Sequence, residues 1–113
     1  MTHYSQVAGS VFEQIKQGHK IIEPRVNDDA HKDVRIGDMI IVINRTTREE
    51  VVAKVVGVLR YSRFDALFAA FPPRYFGAET PEQVRQEVAR WYDTESEAVH
   101  GVLGIKLHVL RAK

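Results

Sequence analysis

Residues 18–25 read Gly-His-Lys-Ile-Ile-Glu-Pro-Arg, which places Lys20, Glu23 and Arg25 within six positions. A lysine and an arginine side by side can hold a phosphate, the arginine as a two-pronged fork and the lysine as a point charge. A carboxylate between them can accept from a base amino group or a ribose hydroxyl. The same carboxylate beside a buried lysine could also serve acid–base chemistry, because burial and a charged neighbour shift pKa values toward those a general base needs. The structural alternative is an ion pair between Glu23 and Arg25 that braces the fold, with Lys20 solvated, as charged residues are mostly exposed or paired. Strand geometry sets a condition on all these readings. In an ideal strand Lys20 faces opposite to Glu23 and Arg25. The three share one cleft only if Lys20 lies in a turn before the strand or a bulge intervenes.

Further candidates sit in loops and near chain turns. Arg45 and Arg48, in a polar turn, and Lys32 and Arg35, in a polar loop, would extend a phosphate-binding rim. Tyr92, Tyr75 and Tyr61 are candidates to stack on an unpaired base. Trp91 falls in phase with Val84 and Val88 and is expected in the core, which leaves Tyr92 freer to face a ligand. His19, His31, His100 and His108 show no paired metal-ligand spacing, so neither a metal nor another cofactor is expected. Thr46-Thr47 reads as turn chemistry and His108 as a sheet-surface residue. Gly101 and Gly104 precede no helix, so they suit a bulge or a close backbone approach better than a phosphate loop.

The elements that must carry these residues follow from periodicity. Val7 or Ala8, Val11, Phe12 and Ile15 predict an amphipathic helix over residues 5–17, ended by Gly18 in the left-handed position. Ile21 and Ile22 begin an extended piece, which Pro24 confines to a sheet edge or strand end. Residues 26–36 are polar and read as a loop. Gly37-Asp38 then opens the apolar run 39–43, which pairs with the β-branched run 51–59 as a hairpin. Ser62 is a candidate cap for a helix carrying Phe64, Leu67, Phe68 and Phe71, stopped by Pro72-Pro73. Thr80-Pro81-Glu82-Gln83 is a capping box with proline at the first helical position. The acidic stretch 93–99 reads as a turn, and alternating Leu103, Ile105, Leu107 and Val109 predict a final strand.

A length of 113 residues fits one domain spanning 1–113, and no linker or repeat divides it. Few strands, a local hairpin and about three helices predict an α+β chain with a small, mostly antiparallel sheet or barrel. No cysteine is present, which excludes disulfide partners, thiolate metal sites and a cysteine nucleophile. No apolar run approaches the roughly 20 residues that cross a bilayer. The first residues lack the basic-then-apolar pattern of a signal peptide, so no membrane association and a cytosolic setting are expected. A net charge of +1 means that any nucleic-acid surface must come from local clustering.

Taken in order, these pieces resemble the ASCH domain, a branch of the PUA-like superfamily, over nearly the whole chain. The family's Gly-x-Lys-x-x-Glu-x-Arg stretch is matched by Gly18, Lys20, Glu23 and Arg25, and its Gly-Asp by Gly37-Asp38. Tyr92, Glu95, Glu97 and the run Gly101-Val102-Leu103-Gly104-Ile105 look like its late tyrosine, acidic turn and strand. The resemblance implies a PUA-like β-barrel beside a cleft lined by Lys20, Glu23 and Arg25. It also implies a role in RNA metabolism or regulation, with single-stranded RNA or a nucleoside-like small molecule as partner. Some ASCH domains are enzymes, and one bacterial branch hydrolyses N4-acetylcytidine with a lysine, a threonine and a glutamate. The lysine matches Lys20, Glu23 stands at the threonine's position, and Glu79 is near the expected glutamate. The expectation is therefore a binding cleft of Lys20, Glu23, Arg25, Arg45, Arg48 and Tyr92. The alternative is a small hydrolase of a modified nucleoside or of RNA at that cleft, using Lys20, Glu23 and Glu79. A protein-interaction module is the third class and would expose an apolar patch around residues 71–76.

Overall fold

The computed structural model describes residues 1–29 and 33–112. His31 and Lys32, both weighed above, lie outside the described residues. Strand β1 (Thr2–Val7) leads into α1 (Gly9–Lys16), β2 (Ile22–Val26), β3 (Met39–Asn44) and β4 (Glu50–Tyr61). Helix α2 (Phe64–Ala70), a 3-10 turn (Pro73–Phe76), α3 (Pro81–Ala89) and α4 (Thr94–His100) precede the last strand, β5 (Val102–Ala112). The five strands form one sheet in the order β1-β3-β4-β5-β2, curved into an open half-barrel. All neighbours are antiparallel except β1 and β3, which run parallel with Ser5 opposite Val42.

The curvature comes from β4. Its register against β5 slips between Val52 and Ala53 and again between Val55 and Gly57. Extra residues on one strand of an antiparallel pair bend it and increase its twist. The bend lets β4 pair with β3 along its first half while β5 carries β2, so the two short strands β1 and β2 become the free edges. Pro24, which has no N–H to give a ladder, sits in edge strand β2 as expected.

Two cores follow from this shape. In one, Phe12 and Ile15 of α1 pack with Val42, Val51, Val55 and Leu103 of the sheet. In the other, Ile22, Val26 and Val102 meet Phe64, Leu67, Phe68 and Phe76 of the α2 region and Val84 and Val88 of α3. Each such side chain contributes about 1.5–3 kcal/mol by leaving water. Gly104 is what lets α2 come so close: a Cβ there would lie 2.9 Å from Leu67 Cδ1 and 3.1 Å from Ile22 Cγ2. That is the close approach its spacing suggested.

Several elements differ from the periodicity reading. The helix expected over 5–17 is two elements, since residues 2–7 form β1 and the helix begins only at Gly9. Ser62 does not cap α2. The N-cap is Arg63, which makes no side-chain cap, and Phe64 N–H instead donates to Glu97 Oε2 at 3.2 Å. Residues 93–99 are not a turn but α4, capped by Asp93, whose side chain accepts from Ser96 N–H at 2.7 Å. The Thr80 capping box on α3 is present in full. Trp91 is not core: α3 ends at Ala89, and Trp91, past its end, is 64% exposed. No exposed patch forms around residues 71–76, where Phe76 is buried and Phe71 and Tyr75 are half-buried against the second core.

Candidate functional site

The turn after α1 decides the geometry of the charged cluster. Gly18 takes φ +78, and the N–H groups of His19 and Lys20 both donate to the Gln14 carbonyl, at 2.9 and 3.1 Å. Ile21 N–H then bonds Tyr75 O at 2.9 Å, and β2 begins at Ile22. Lys20 thus lies in the turn before the strand, and its side chain is free of the strand's alternation. In β2 itself, Ile22, Pro24 and Val26 are buried, and Glu23 and Arg25 take the alternate positions.

All three charged groups meet. Lys20 Nζ lies 3.2 Å from Glu23 Oε2, and Arg25 Nη2 lies 3.5 Å from Glu23 Oε1. Their side chains are 7%, 17% and 24% exposed for Lys20, Glu23 and Arg25. Glu23 Oε2 is fully enclosed, yet no hydrogen bond is aligned onto it. An ammonium at ion-pair distance without hydrogen-bond alignment leaves that oxygen with acceptor capacity for a donor. Arg25 also donates to Ser5 Oγ at 3.2 Å, across the seam between the two edge strands. Burial draws the Arg25 pKa down, but Glu23 first, then Tyr92 and Asp28, together outweigh it and hold it above the ordinary arginine value.

The cluster forms the floor of a cleft enclosing about 120 Å³. Val7, Pro24 and Val88 add buried apolar floor, and Tyr92 stands half-buried beside Arg25. The exposed rim is built by Gln6 of β1, Arg45 of the β3–β4 turn, Glu87 of α3 and Trp91. Behind Glu23 and Arg25 a second cavity of about 590 Å³ opens into the half-barrel, where His3, Ser5, Ile40, Val42 and Ile105 line it.

Of the residues picked from the sequence, Lys20, Glu23, Arg25, Arg45 and Tyr92 come together at this cleft. Arg48 does not; it turns at φ 67 in the hairpin and lines no part of it. Glu79 lies elsewhere, exposed beside Gln14, His19, Arg74 and Tyr75 in a separate depression, so Glu87 is the second carboxylate at the cleft. Tyr61 and Tyr75 pack on the second core. Arg35 is exposed, and its backbone N–H serves Asp38 at 3.0 Å. Thr46 and Thr47 are turn residues whose N–H groups donate to Asn44 Oδ1.

Periodicity puts Trp91 in the core and passes over Glu87 and Gly77. The capping box fixes the phase of α3 and so places Glu87 next to buried Val88; that signal was readable. Gly77, at φ +82, would carry a Cβ 2.7 Å from Gln14 Oε1 and 3.2 Å from Lys20 Cδ, so it leaves room for the lysine stem. Gly37-Asp38 has its own task. Asp38 Oδ2 sits 2.8 Å from His3 Nε2, and Asp38 Oδ1 accepts from the Met1 amino group at 3.2 Å, which ties edge strand β1 down. The His3 hydrogen bond first, then the Arg35 N–H, hold the Asp38 pKa down at about 2 against the opposing effect of burial.

A curved five-stranded sheet with a charged cleft between its edge strand and flanking helices defines a PUA-like half-barrel. The ASCH domain family model matches residues 7–111, and the chain belongs to that family. Among solved structures, hypothetical protein PH0355 superposes with a TM-score of 0.85 at 26% identity, over 97% of this chain and 100% of that one. PF0455 from Pyrococcus furiosus gives a TM-score of 0.77 at 24% identity, over 97% and 98% of the two chains. A mutant of ZmASCH from Zymomonas mobilis shares the fold at a TM-score of 0.60 and 11% identity, over 97% of this chain and 71% of that one. No match was found among curated proteins.

Proposed function

We propose that the cleft binds RNA or a nucleotide-like ligand, with Lys20, Glu23 and Arg25 as its floor. One observation carries this reading: Glu23 Oε2 is enclosed and without an aligned hydrogen bond, at the bottom of an opening that three cations reach. The Glu23 side chain is 17% exposed, and a base amino group or ribose hydroxyl would supply the missing donor once the carboxylate turns that oxygen toward the opening. Lys20, Arg25 and Arg45 outnumber Glu23 and Glu87 there, which suits a ligand that carries phosphate. A cytosolic setting, where such ligands abound, accords with a chain in which no described helix is long and apolar enough to cross a membrane.

The test is fluorescence anisotropy of a short labelled single-stranded RNA, titrated with the protein at low and physiological salt. Binding that weakens with salt, at a slope of about 0.7 per phosphate contacted, and that Arg45→Ala and Lys20→Met reduce, would support the reading. Salt-independent binding that ignores both substitutions would remove it.

A second reading, hydrolysis of an acylated nucleoside, is favoured by the 3.2 Å approach of a buried Lys20 to Glu23. Glu23 stands where the acetylcytidine hydrolases carry threonine, so the nucleophile would be water, activated by Lys20 or Glu23. Turnover of N4-acetylcytidine that Glu23→Gln abolishes in a folded protein supports it; unchanged turnover sinks it.

A further inference from the structure

Trp91 is the one tryptophan of the chain and is 64% exposed, more than any other residue with a ring save Tyr4 among the exposed large hydrophobics. Trp91 borders the cleft together with Arg45 and Glu87, so a large aromatic side chain that is still in water stands at its opening. Its backbone is held at the end of α3, where Trp91 N–H donates to Val88 O at 3.1 Å, so the ring is presented by an anchored segment.

The enclosed volume limits what can enter. About 120 Å³ compares with the ~150 Å³ cavity that takes up one benzene. That is less than one fully enclosed ring takes up, so a base entering the cleft stays partly at the rim, and its sugar and phosphate lie across it. The rim carries opposite charges on different elements, Arg45 on the β3–β4 turn and Glu87 on α3. A phosphate is attracted to the first and repelled by the second, so the backbone of the ligand leaves on the Arg45 side.

We propose that Trp91 is the stacking surface for a single unpaired base whose phosphate lies against Arg45, so that the cleft takes one base at a time. This rests on the nucleotide-binding reading and adds to it the base requirement and the residue that enforces it. Tyr92, the one of the three stacking candidates by sequence that reaches the cleft, is half-buried on Phe64, with ring centroids 6.0 Å apart, and is held in the core side of the cleft. Stacking tolerates any base because each has a π-face, which predicts weak sequence preference and a strict need for a base.

The experiment uses the whole chain and two labelled oligomers of equal length, a short mixed-sequence RNA and its abasic ribose-phosphate counterpart. Anisotropy reads binding, and the emission of the single tryptophan reads contact directly. The expected result is RNA binding with quenched Trp91 emission and loss of about 5- to 150-fold in affinity on Trp91→Ala, with Trp91→Phe in between. The abasic oligomer should bind as weakly as the RNA binds Trp91→Ala, and that substitution should not weaken it further. RNA binding without quenching, or an equal loss for both oligomers on Trp91→Ala, overturns stacking and leaves the cleft reading in place. No binding of either oligomer by the wild-type chain overturns both. Trp91 is mostly exposed and contributes little to the fold, so its substitution tests contact and not folding.

Discussion

Glu23 serves two cations, and that makes the charged cluster asymmetric. Lys20 and Arg25 both lie within 3.5 Å of its carboxylate, and all three are largely out of water. Removing Glu23 leaves two enclosed positive charges facing each other, whereas removing Lys20 leaves Glu23 still paired with Arg25. Breaking a buried pair by deleting one partner costs about 3–5 kcal/mol. Glu23→Gln is therefore expected to lose about 3 kcal/mol, and Lys20→Met clearly less, in urea unfolding with an unchanged denaturant slope. Equal losses would mean that the carboxylate is not the shared counter-charge. Gly77 makes a second prediction from outside the cleft. Alanine there must adopt a left-handed conformation at a cost of about 1–2 kcal/mol, and its Cβ would press on Gln14 and Lys20. Gly77→Ala should thus weaken ligand binding by displacing the lysine, and a structure or ligand titration of the variant would show whether Lys20 has moved.

At the scale of elements, α3 is the most legible part of the chain because its signal is local. The Thr80–Gln83 capping box is present, with Gln83 N–H donating to Thr80 Oγ1 at 3.3 Å. Thr80→Ala should cost about 1 kcal/mol, visible as a lower urea midpoint; a shift within error would mean that packing of Val84 and Val88 alone holds the helix. The elements that escaped reading lack such local marks. Strand β1 exists because β3 pairs with it in parallel, a partnership with residues far along the chain. Val7 and Val11 keep helical phase by coincidence, so periodicity runs the helix through the end of a strand. Helix α4 buries no residue, so it shows no apolar stripe, and only Asp93 marks its start. Trp91 falls in phase with Val84 and Val88, but the helix that gives that spacing meaning stops two residues earlier. The charged floor was readable because Gly18, Lys20, Glu23 and Arg25 lie in one short stretch. The rim was legible only in part, at Arg45, because Gln6, Arg45 and the Glu87–Trp91 stretch are brought there from three separate segments.

For the molecule as a whole, an open half-barrel must hold its two edge strands in place without pairing them to each other. Two polar links do so. Arg25 of β2 reaches Ser5 of β1 across the seam, and Asp38 at the start of β3 gathers His3, the Met1 amino group and the Arg35 N–H. The second link is titratable, and its sign is fixed by the pKa. Asp38 is held at about 2 in the folded protein, below its ordinary value of 3.8. A carboxylate depressed by folding stabilises the fold in full above its unfolded pKa, and that contribution is lost as pH falls through the folded value. The link should therefore be intact from neutral pH down to about 4 and fail progressively toward pH 2. Asp65, beside Arg85, and Asp93, at the α4 cap, are also lowered and act in the same direction. Urea midpoints at several pH values, for wild type and Asp38→Asn, separate Asp38 from the other two. The variant should be less stable at neutral pH, and its deficit should shrink as the pH drops, because the wild type then loses what the variant never had. A deficit constant with pH would mean that the contact at Asp38 is one of shape and hydrogen bonding, with no charge in it. The seam itself answers to hydrogen exchange. In Asp38→Asn, the amides of β1 should exchange faster relative to those of β4 and β5, since β1 pairs on one side only. Uniform acceleration across the sheet would show instead that the half-barrel opens as one unit.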